Sequence, residues 1–134
     1  MIKIIIFTHG GLSGALKESA SMLVGTLDNV ECFSVMPGCD LDALSEQVSA
    51  SISKSQEDGV IVFSDLFFGT PFNILINLSQ KHSFPHITGV NLPLLIEAVN
   101  YSRQEDAALE YIVKELMEFS EDCIKDAGAF IASL

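Results

Sequence analysis

The stretch Ile2-Lys3-Ile4-Ile5-Ile6-Phe7-Thr8-His9-Gly10-Gly11 decides the fold of this 134-residue chain. Its nearly continuous apolar run predicts a strand that is covered on both faces, as in a parallel sheet between helices. The run ends in a histidine, a titratable and nucleophilic side chain, and a glycine turn follows at once. A strand that delivers such a side chain to a turn at the start of a helix is a common way for an α/β protein to present chemistry.

Further apolar runs, bounded by turn residues and followed by amphipathic segments, occur at 59–64 and 86–91. The run from Val30 to Met36 alternates more and is expected nearer an edge. Right-handed connections then predict parallel strands in the order 2-1-3-4. The tail, 128–134, changes period and predicts a terminal strand, antiparallel at an edge of its own subunit or of a partner's. We therefore predict an α/β fold, a three-layer doubly wound sheet, in a single domain spanning 1–134.

Capping residues predict where the helices begin. Asp40 can cap the second helix, and Thr70-Pro71 reads as a cap and first position of a third helix that runs through Lys81. Ser102 with Glu105 predicts a capping box for a long last helix. The predicted buried positions are Leu12, Ala15, Leu16, Ala20 and Leu23 in the first helix, Leu41, Leu44, Val48 and Ile52 in the second, and Leu109, Ile112, Val113 and Leu116 in the last.

Composition excludes several classes of function. The net charge of −11, from 18 acidic and 7 basic residues, repels phosphate backbones and anionic lipids, so nucleic acid is not expected as a partner. The three cysteines, Cys32, Cys39 and Cys123, are widely spaced and suggest neither a disulfide framework nor a zinc site. We interpret them as reduced thiols of a cytosolic protein.

Two loops are predicted to meet where the strand order reverses. The carboxyl ends of the first and third strands open a crevice there, which brings His9 beside the loop that begins with Asp65. A carboxylate that accepts from Nδ1–H fixes the tautomer of the ring and leaves Nε2 as the nucleophile. The start of the helix at Thr70-Pro71 adds backbone N–H groups and a hydroxyl, which suit a phosphate. No carboxylate cluster for a metal ion accompanies them, so we predict metal-free phosphoryl transfer through a phosphohistidine.

Plainer interpretations stay open for each of these residues. An isolated histidine at a strand end is usually just a satisfied or exposed side chain, and Asp65 could be a helix cap. His82 and His86 precede the fourth strand, so we expect them at its amino end, on the surface and away from the crevice. Aromatic residues beside the site are either simple core or a docking patch for a partner protein, namely Phe67, Phe68 and Phe72.

Three segments resemble a known family when taken together. They are His9-Gly10-Gly11-Leu12-Ser13-Gly14-Ala15-Leu16, Ser64-Asp65-Leu66-Phe67-Phe68-Gly69-Thr70-Pro71-Phe72-Asn73 and Gly89-Val90-Asn91-Leu92-Pro93-Leu94-Leu95. In this order, and across essentially the whole chain, they resemble the IIA domain of the mannose family of the bacterial phosphoenolpyruvate-dependent sugar phosphotransferase system.

The resemblance implies a phosphotransferase component without a cofactor. In such a protein His9 takes a phosphoryl group from the histidine-containing carrier protein HPr and passes it to a histidine of a separate IIB protein. Asp65 would bond the ring, and Gly69 with Thr70 would help to hold the phosphoryl group. The resemblance further implies a cytoplasmic homodimer that exchanges its terminal strand and works with the membrane components IIC and IID, peripherally associated with that permease complex.

The chain departs from the family pattern at two positions. Phe68 stands where the family usually has glycine, which should stiffen or reshape the loop, and Thr70 replaces the more usual serine but keeps the hydroxyl. Two alternative functions remain at this point. One is the IIA-like phosphoryl donor subunit of dihydroxyacetone kinase, and the other is a non-catalytic regulatory module that senses a small anion.

Overall fold

A four-stranded parallel sheet forms the centre of the molecule, of which the computed structural model describes all 134 residues. Strand β1 (Lys3–His9) lies between β2 (Val30–Val35) and β3 (Val60–Ser64), and the short strand β4 (His86–Thr88) pairs with β3. The predicted order β2-β1-β3-β4 is confirmed, with β2 at an edge.

Side chains of β1 alternate between the two faces of the sheet, and both faces are covered. Ile4 and Ile6 join one apolar cluster while Ile5 and Phe7 join the other, and all four are fully buried. Burial of a side chain of this size contributes about 1.5–3 kcal/mol. Because neither face meets water, the strand shows a continuous apolar run instead of an alternating one.

The helices form the two outer layers of the predicted three-layer fold. Helices α1, α4 and α5 cover the face of Ile4, and α2 with α3 cover the face of Ile5. None of the helices is long and apolar enough to cross a membrane. Their bounds are α1 (Leu12–Val24), α2 (Leu41–Lys54), α3 (Thr70–Leu78), α4 (Leu92–Ser102), α5 (Leu109–Ser120) and α6 (Ala127–Ala132).

The predicted buried face is correct in α5 and only partly correct in α1 and α2. Val48, Ile52, Ile112 and Leu116 are fully buried, and Ala20 is the buried apolar residue of α1. The predicted positions that turn out to be exposed are Leu12, Ala15, Leu23 and Leu41. The buried side of α1 passes instead through Ser13, whose hydroxyl donates to the carbonyl of Phe33 at 3.1 Å.

The predicted capping box at Ser102 and Glu105 is wrong. Ser102 is the last residue of α4 and is buried, with its hydroxyl donating to the Val99 carbonyl at 2.7 Å. Because that hydroxyl also accepts from Asn29, it is not free to cap a following helix. Helix α5 begins only at Leu109 and has no side-chain cap.

The predicted C-terminal strand is also wrong, because residues 127–132 form the helix α6. An antiparallel strand needs a sheet edge as its partner, whereas a helix satisfies its hydrogen bonds locally. Asp126 begins α6 by accepting from the backbone N–H of Ala129 at 3.0 Å. No residue of α6 is buried within the chain, and Ile131 is 63% exposed.

Candidate functional site

The carboxyl ends of β1 and β3 bring His9 and Asp65 together, as predicted. The ring Nδ1 of His9 lies 2.9 Å from Oδ2 of Asp65, and the backbone N–H of His9 donates to the same oxygen at 3.0 Å. Fifty-six positions separate the two residues along the chain. They meet because β1 and β3 are neighbours in a parallel sheet, whose strands all end at the same edge.

Asp65 is held in place by backbone groups on both of its oxygens. Its Oδ1 accepts from the N–H of Leu66 at 3.0 Å, while Oδ2 carries the bonds from His9. Burial opposes the charged carboxylate, but the hydrogen bonds and the charge of His9 outweigh it, so the pKa of Asp65 is lowered. The side chain is therefore an oriented carboxylate at neutral pH.

This contact determines which nitrogen of His9 is available for reaction. A carboxylate can only accept, so Nδ1 carries the proton and Nε2 of the neutral ring keeps its lone pair. The His9 side chain is 43% exposed and that of Asp65 only 10%. The arrangement is an accessible nucleophilic nitrogen backed by a sheltered acceptor.

The turn after His9 is fixed by a residue that the sequence analysis missed, Thr8. Its buried hydroxyl accepts from the N–H of Ser13 at 2.8 Å and donates to the His9 carbonyl at 3.2 Å. One side chain thus ties the end of β1 to the first turn of α1. Gly10 adopts a φ of +55°, which few residues other than glycine tolerate, and donates to the Val35 carbonyl at 2.9 Å. A hydroxyl residue that ends a buried apolar run is the signal that could have pointed to Thr8.

Gly69 and the start of α3 lie directly against the ring of His9. A Cβ added to Gly69 would stand 2.6 Å from Cε1 and 3.3 Å from Nε2 of the ring. Gly69, and not Thr70 as predicted, is the N-cap, and Thr70 is the first helical residue. The N–H groups of Gly69, Thr70 and Phe72 have no hydrogen-bond partner within the chain, so they can serve an anion held next to Nε2.

An exposed aromatic cluster, consisting of Phe67, Phe68 and Phe72, borders the site. The ring centroids of Phe67 and Phe68 are 4.2 Å apart, and those of Phe67 and Phe72 are 4.9 Å apart. Phe67 is 65% exposed and Phe68 70%, so the two are not core residues. Phe68 is the one non-glycine residue with a positive φ, at 65°. The left-handed conformation costs a residue of this kind about 1–2 kcal/mol.

His86 does not lie on the surface as the sequence analysis expected. His86 is the first residue of the three-residue strand β4 and pairs with Val62, in the middle of β3. The Nε2 of His86 lies 2.7 Å from the hydroxyl of Ser64, the residue before Asp65, and its ring centroid is 5.2 Å from that of Phe72. Burial lowers the pKa of His86. His82, by contrast, follows α3, and its Nε2 lies 2.9 Å from the hydroxyl of Ser49 in α2.

The chemistry that these residues can perform is nucleophilic transfer at one imidazole nitrogen. No cluster of three or more histidine, cysteine or acidic side chains is arranged to hold a metal ion. The three cysteines are free thiols, and burial raises the pKa of Cys32.

Comparisons with known proteins agree on one family. Residues 3–117 match the EIIA-man family, described as the PTS system fructose IIA component. The fructose-specific EIIA component of Bacillus subtilis (strain 168) is 31% identical over 123 residues, which is 90% of this chain and 83% of that protein. The mannose-specific EIIAB component of Escherichia coli (strain K12) is also 31% identical, over 126 residues and 92% of this chain. The chain spans only 39% of the length of that EIIAB relative.

Solved structures have the same fold. The phosphotransferase system component EIIA from Streptococcus agalactiae superposes with a TM-score of 0.77 at 29% identity, covering 96% of this chain and 99% of that one. A mannose/sorbose-specific IIA subunit from Enterococcus faecalis superposes with a TM-score of 0.78 at 21% identity, a level of identity that supports the fold alone.

Proposed function

This chain belongs to the mannose-type EIIA family of sugar phosphotransferase system components, and from that premise we propose that it carries a phosphoryl group on Nε2 of His9. His9 is the nucleophile of this proposal, and Asp65 orients its ring. Gly69 and Thr70, at the start of α3, hold the phosphoryl oxygens.

The observation that carries the proposal is the hydrogen bond of 2.9 Å between Nδ1 of His9 and Asp65. It leaves the lone pair of Nε2 directed away from the carboxylate, on a side chain that is 43% exposed. A phosphoryl carrier needs such a nitrogen, because both its donor and its acceptor are side chains of other proteins. An enclosed pocket would prevent their approach.

The transfer itself is balanced without a cofactor. The Nε2 lone pair of His9 attacks phosphorus as the nitrogen–phosphorus bond of the donor histidine breaks, and the donor ring keeps that electron pair. The phosphorylated ring of His9 keeps its Nδ1 proton, and the Asp65 carboxylate stabilises the positive charge that builds on the ring. The N–H groups at the start of α3 stabilise the oxygens of the transferring group in a preorganised position. The second transfer repeats these steps in the reverse direction towards the acceptor.

The family implies HPr as the donor and a IIB protein as the acceptor, and we extend this to the membrane components IIC and IID. The chain is then a cytoplasmic protein that associates peripherally with the permease complex during sugar uptake. We also propose a homodimer, which the exposed apolar side chains near the C-terminus support, with Ile124 at 88% and Leu134 at 87% exposure. Sedimentation equilibrium of the full chain measures this directly.

The relatives found are sugar-specific EIIA components, which favours this function over the two alternatives. Neither the donor subunit of dihydroxyacetone kinase nor an anion sensor gains support from a particular feature of the site. An anion sensor would bind phosphate without a covalent label, so the same experiment separates it from a carrier.

The test is incubation of the chain with phosphoenolpyruvate, enzyme I and HPr, followed by detection of acid-labile, base-stable phosphate. We expect one phosphoryl group per chain and complete loss of the label in His9→Ala. His82→Ala is the matched control and should be labelled like the wild type, since the His82 ring contacts Ser49 of α2 and not the residues around His9. A label that persists in His9→Ala would refute the assignment of the nucleophile.

A further inference from the structure

Phe68 combines a strained backbone with an exposed side chain, which folding alone does not account for. Every other residue of the chain with a positive φ is a glycine, namely Gly10, Gly25, Gly38, Gly59 and Gly89. Phe68 adopts φ 65° although an L side chain is disfavoured there. Strain of this kind persists at positions where the conformation serves a function.

The contacts of the Phe68 side chain offset little of the free energy that its left-handed backbone costs. Its ring is 70% exposed and packs against the rings of Phe67 at 4.2 Å and Phe72 at 5.4 Å between centroids. A glycine at this position would relieve the backbone strain. The apolar surface buried in the core would stay the same, because Phe68 is not a core residue.

The cluster lies beside the glycine that is in contact with the ring of His9. Phe68 precedes Gly69, whose added Cβ would lie 3.3 Å from Nε2 and 3.5 Å from Cβ of Leu66, a residue that is itself 58% exposed. The segment from Leu66 to Phe72 carries no charge, in a chain whose net charge is −11. This segment is therefore an uncharged, mostly apolar surface next to the reacting nitrogen. Such a surface is typical of the centre of a protein interface.

We propose that Phe68 is a docking residue for the phosphoryl donor, a carrier protein that presents an apolar depression beside its own phosphohistidine. This inference rests on the proposed function. The donor is the favoured occupant because it must find His9 by diffusion, and its affinity comes only from the surface that it contacts. In the EIIAB relative the acceptor component belongs to the same chain, and in the arrangement proposed for this chain it does not, but the donor has to diffuse to His9 in both arrangements.

Phe68→Gly tests the proposal, since glycine accepts the backbone conformation and removes only the ring. Phosphoryl transfer from phosphorylated HPr is measured over a range of HPr concentrations. We expect KM for phosphorylated HPr to rise about tenfold or more, as for loss of one aromatic side chain buried at an interface. We expect kcat to stay within about twofold and the thermal unfolding midpoint to stay equal or rise. Phe68→Asn, which also tolerates a left-handed backbone, should give the same result.

Tyr111→Ala is the matched control, because Tyr111 is 51% exposed and packs edge-on against another aromatic ring, Tyr101 at 6.2 Å. It lies on α5 and should leave KM unchanged. An unchanged KM in Phe68→Gly would overturn the proposal, as would an effect confined to transfer from His9 to the IIB acceptor. A lower unfolding midpoint with unchanged KM would make Phe68 a purely structural residue. Failure of the proposed function is distinguishable, because the wild-type chain would then accept no phosphate on His9.

Discussion

Replacement of Gly69 by alanine tests the geometry of the site with a single methyl group. The backbone of Gly69 has φ −79° and ψ 171°, which any residue adopts, so alanine meets no backbone penalty. Its Cβ, however, would lie 2.6 Å from Cε1 of His9. Carbon atoms pack at about 3.5–4.0 Å, so the ring or the start of α3 must move by about 1 Å.

A displacement of this size is small for the fold and large for the reaction. Misplacement of a reacting group by about 1 Å lowers a rate by about a hundredfold, because the lone pair no longer points at phosphorus. We expect Gly69→Ala to take up phosphate from phosphorylated HPr about a hundred times more slowly than the wild type. We expect its free energy of unfolding to change by about 1 kcal/mol or less, because His9 is partly exposed and its ring can rotate into solvent.

Rapid-quench measurement of acid-labile phosphate, together with thermal unfolding, checks both expectations. Gly14→Ala is the control, since an added Cβ at this helical position has no neighbour within 4 Å. It should keep the wild-type rate and stabilise the chain by about 0.5–1 kcal/mol. A Gly69→Ala rate within twofold of the wild type would show that close contact between Gly69 and the ring is not required.

Two further predictions concern ionisable groups. In Asp65→Ala the ring of His9 loses the partner that fixes its tautomer, so we expect phosphoryl transfer to slow by about a hundredfold or more. Circular dichroism should show that the variant keeps its fold. An unchanged transfer rate would mean that Asp65 has only a structural role. Burial lowers the pKa of His86, so as the pH falls below about 6.5 the unfolded chain binds a proton that the folded chain does not, and stability is lost. We expect the unfolding free energy of His86→Gln to fall less steeply with pH in this range, with a slope smaller by up to about 1.4 kcal/mol per pH unit. Urea unfolding at several pH values measures this slope. Identical slopes for the variant and the wild type would contradict the prediction.

The sequence was sufficient to predict the sheet and the meeting of His9 with Asp65. Both follow from apolar runs that continue to their turns, because a parallel sheet with right-handed connections permits few arrangements. The Asp40 cap was also predicted correctly, and its carboxylate accepts from the N–H groups of Asp42 and Ala43. Such a cap is predictable because its partners lie within the first turn of the same helix.

What could not be predicted depends on contacts between distant segments. The Ser102 hydroxyl is occupied by Val99 and Asn29, so the capping pattern that it forms with Glu105 is without effect. His86 lies at the amino end of β4 as expected, but its contact with the Ser64 hydroxyl could not be predicted because it depends on how β4 pairs with β3. The C-terminal segment pairs with neither edge strand of the sheet, and its residues 127–132 form the helix that Asp126 caps instead.

The position of β1 in the middle of the sheet has a consequence for how the molecule can move. Its residues from Ile4 to Phe7 are fully buried beneath both outer layers and pair with a strand on each side, so we expect hydrogen exchange of their amides to require opening of the whole domain. His9 is the last residue of this strand, so we expect its backbone to stay in place during phosphoryl transfer. We therefore expect any conformational change on binding of the phosphoryl donor or acceptor to occur in the loop from Leu66 to Phe68 or in the bound protein.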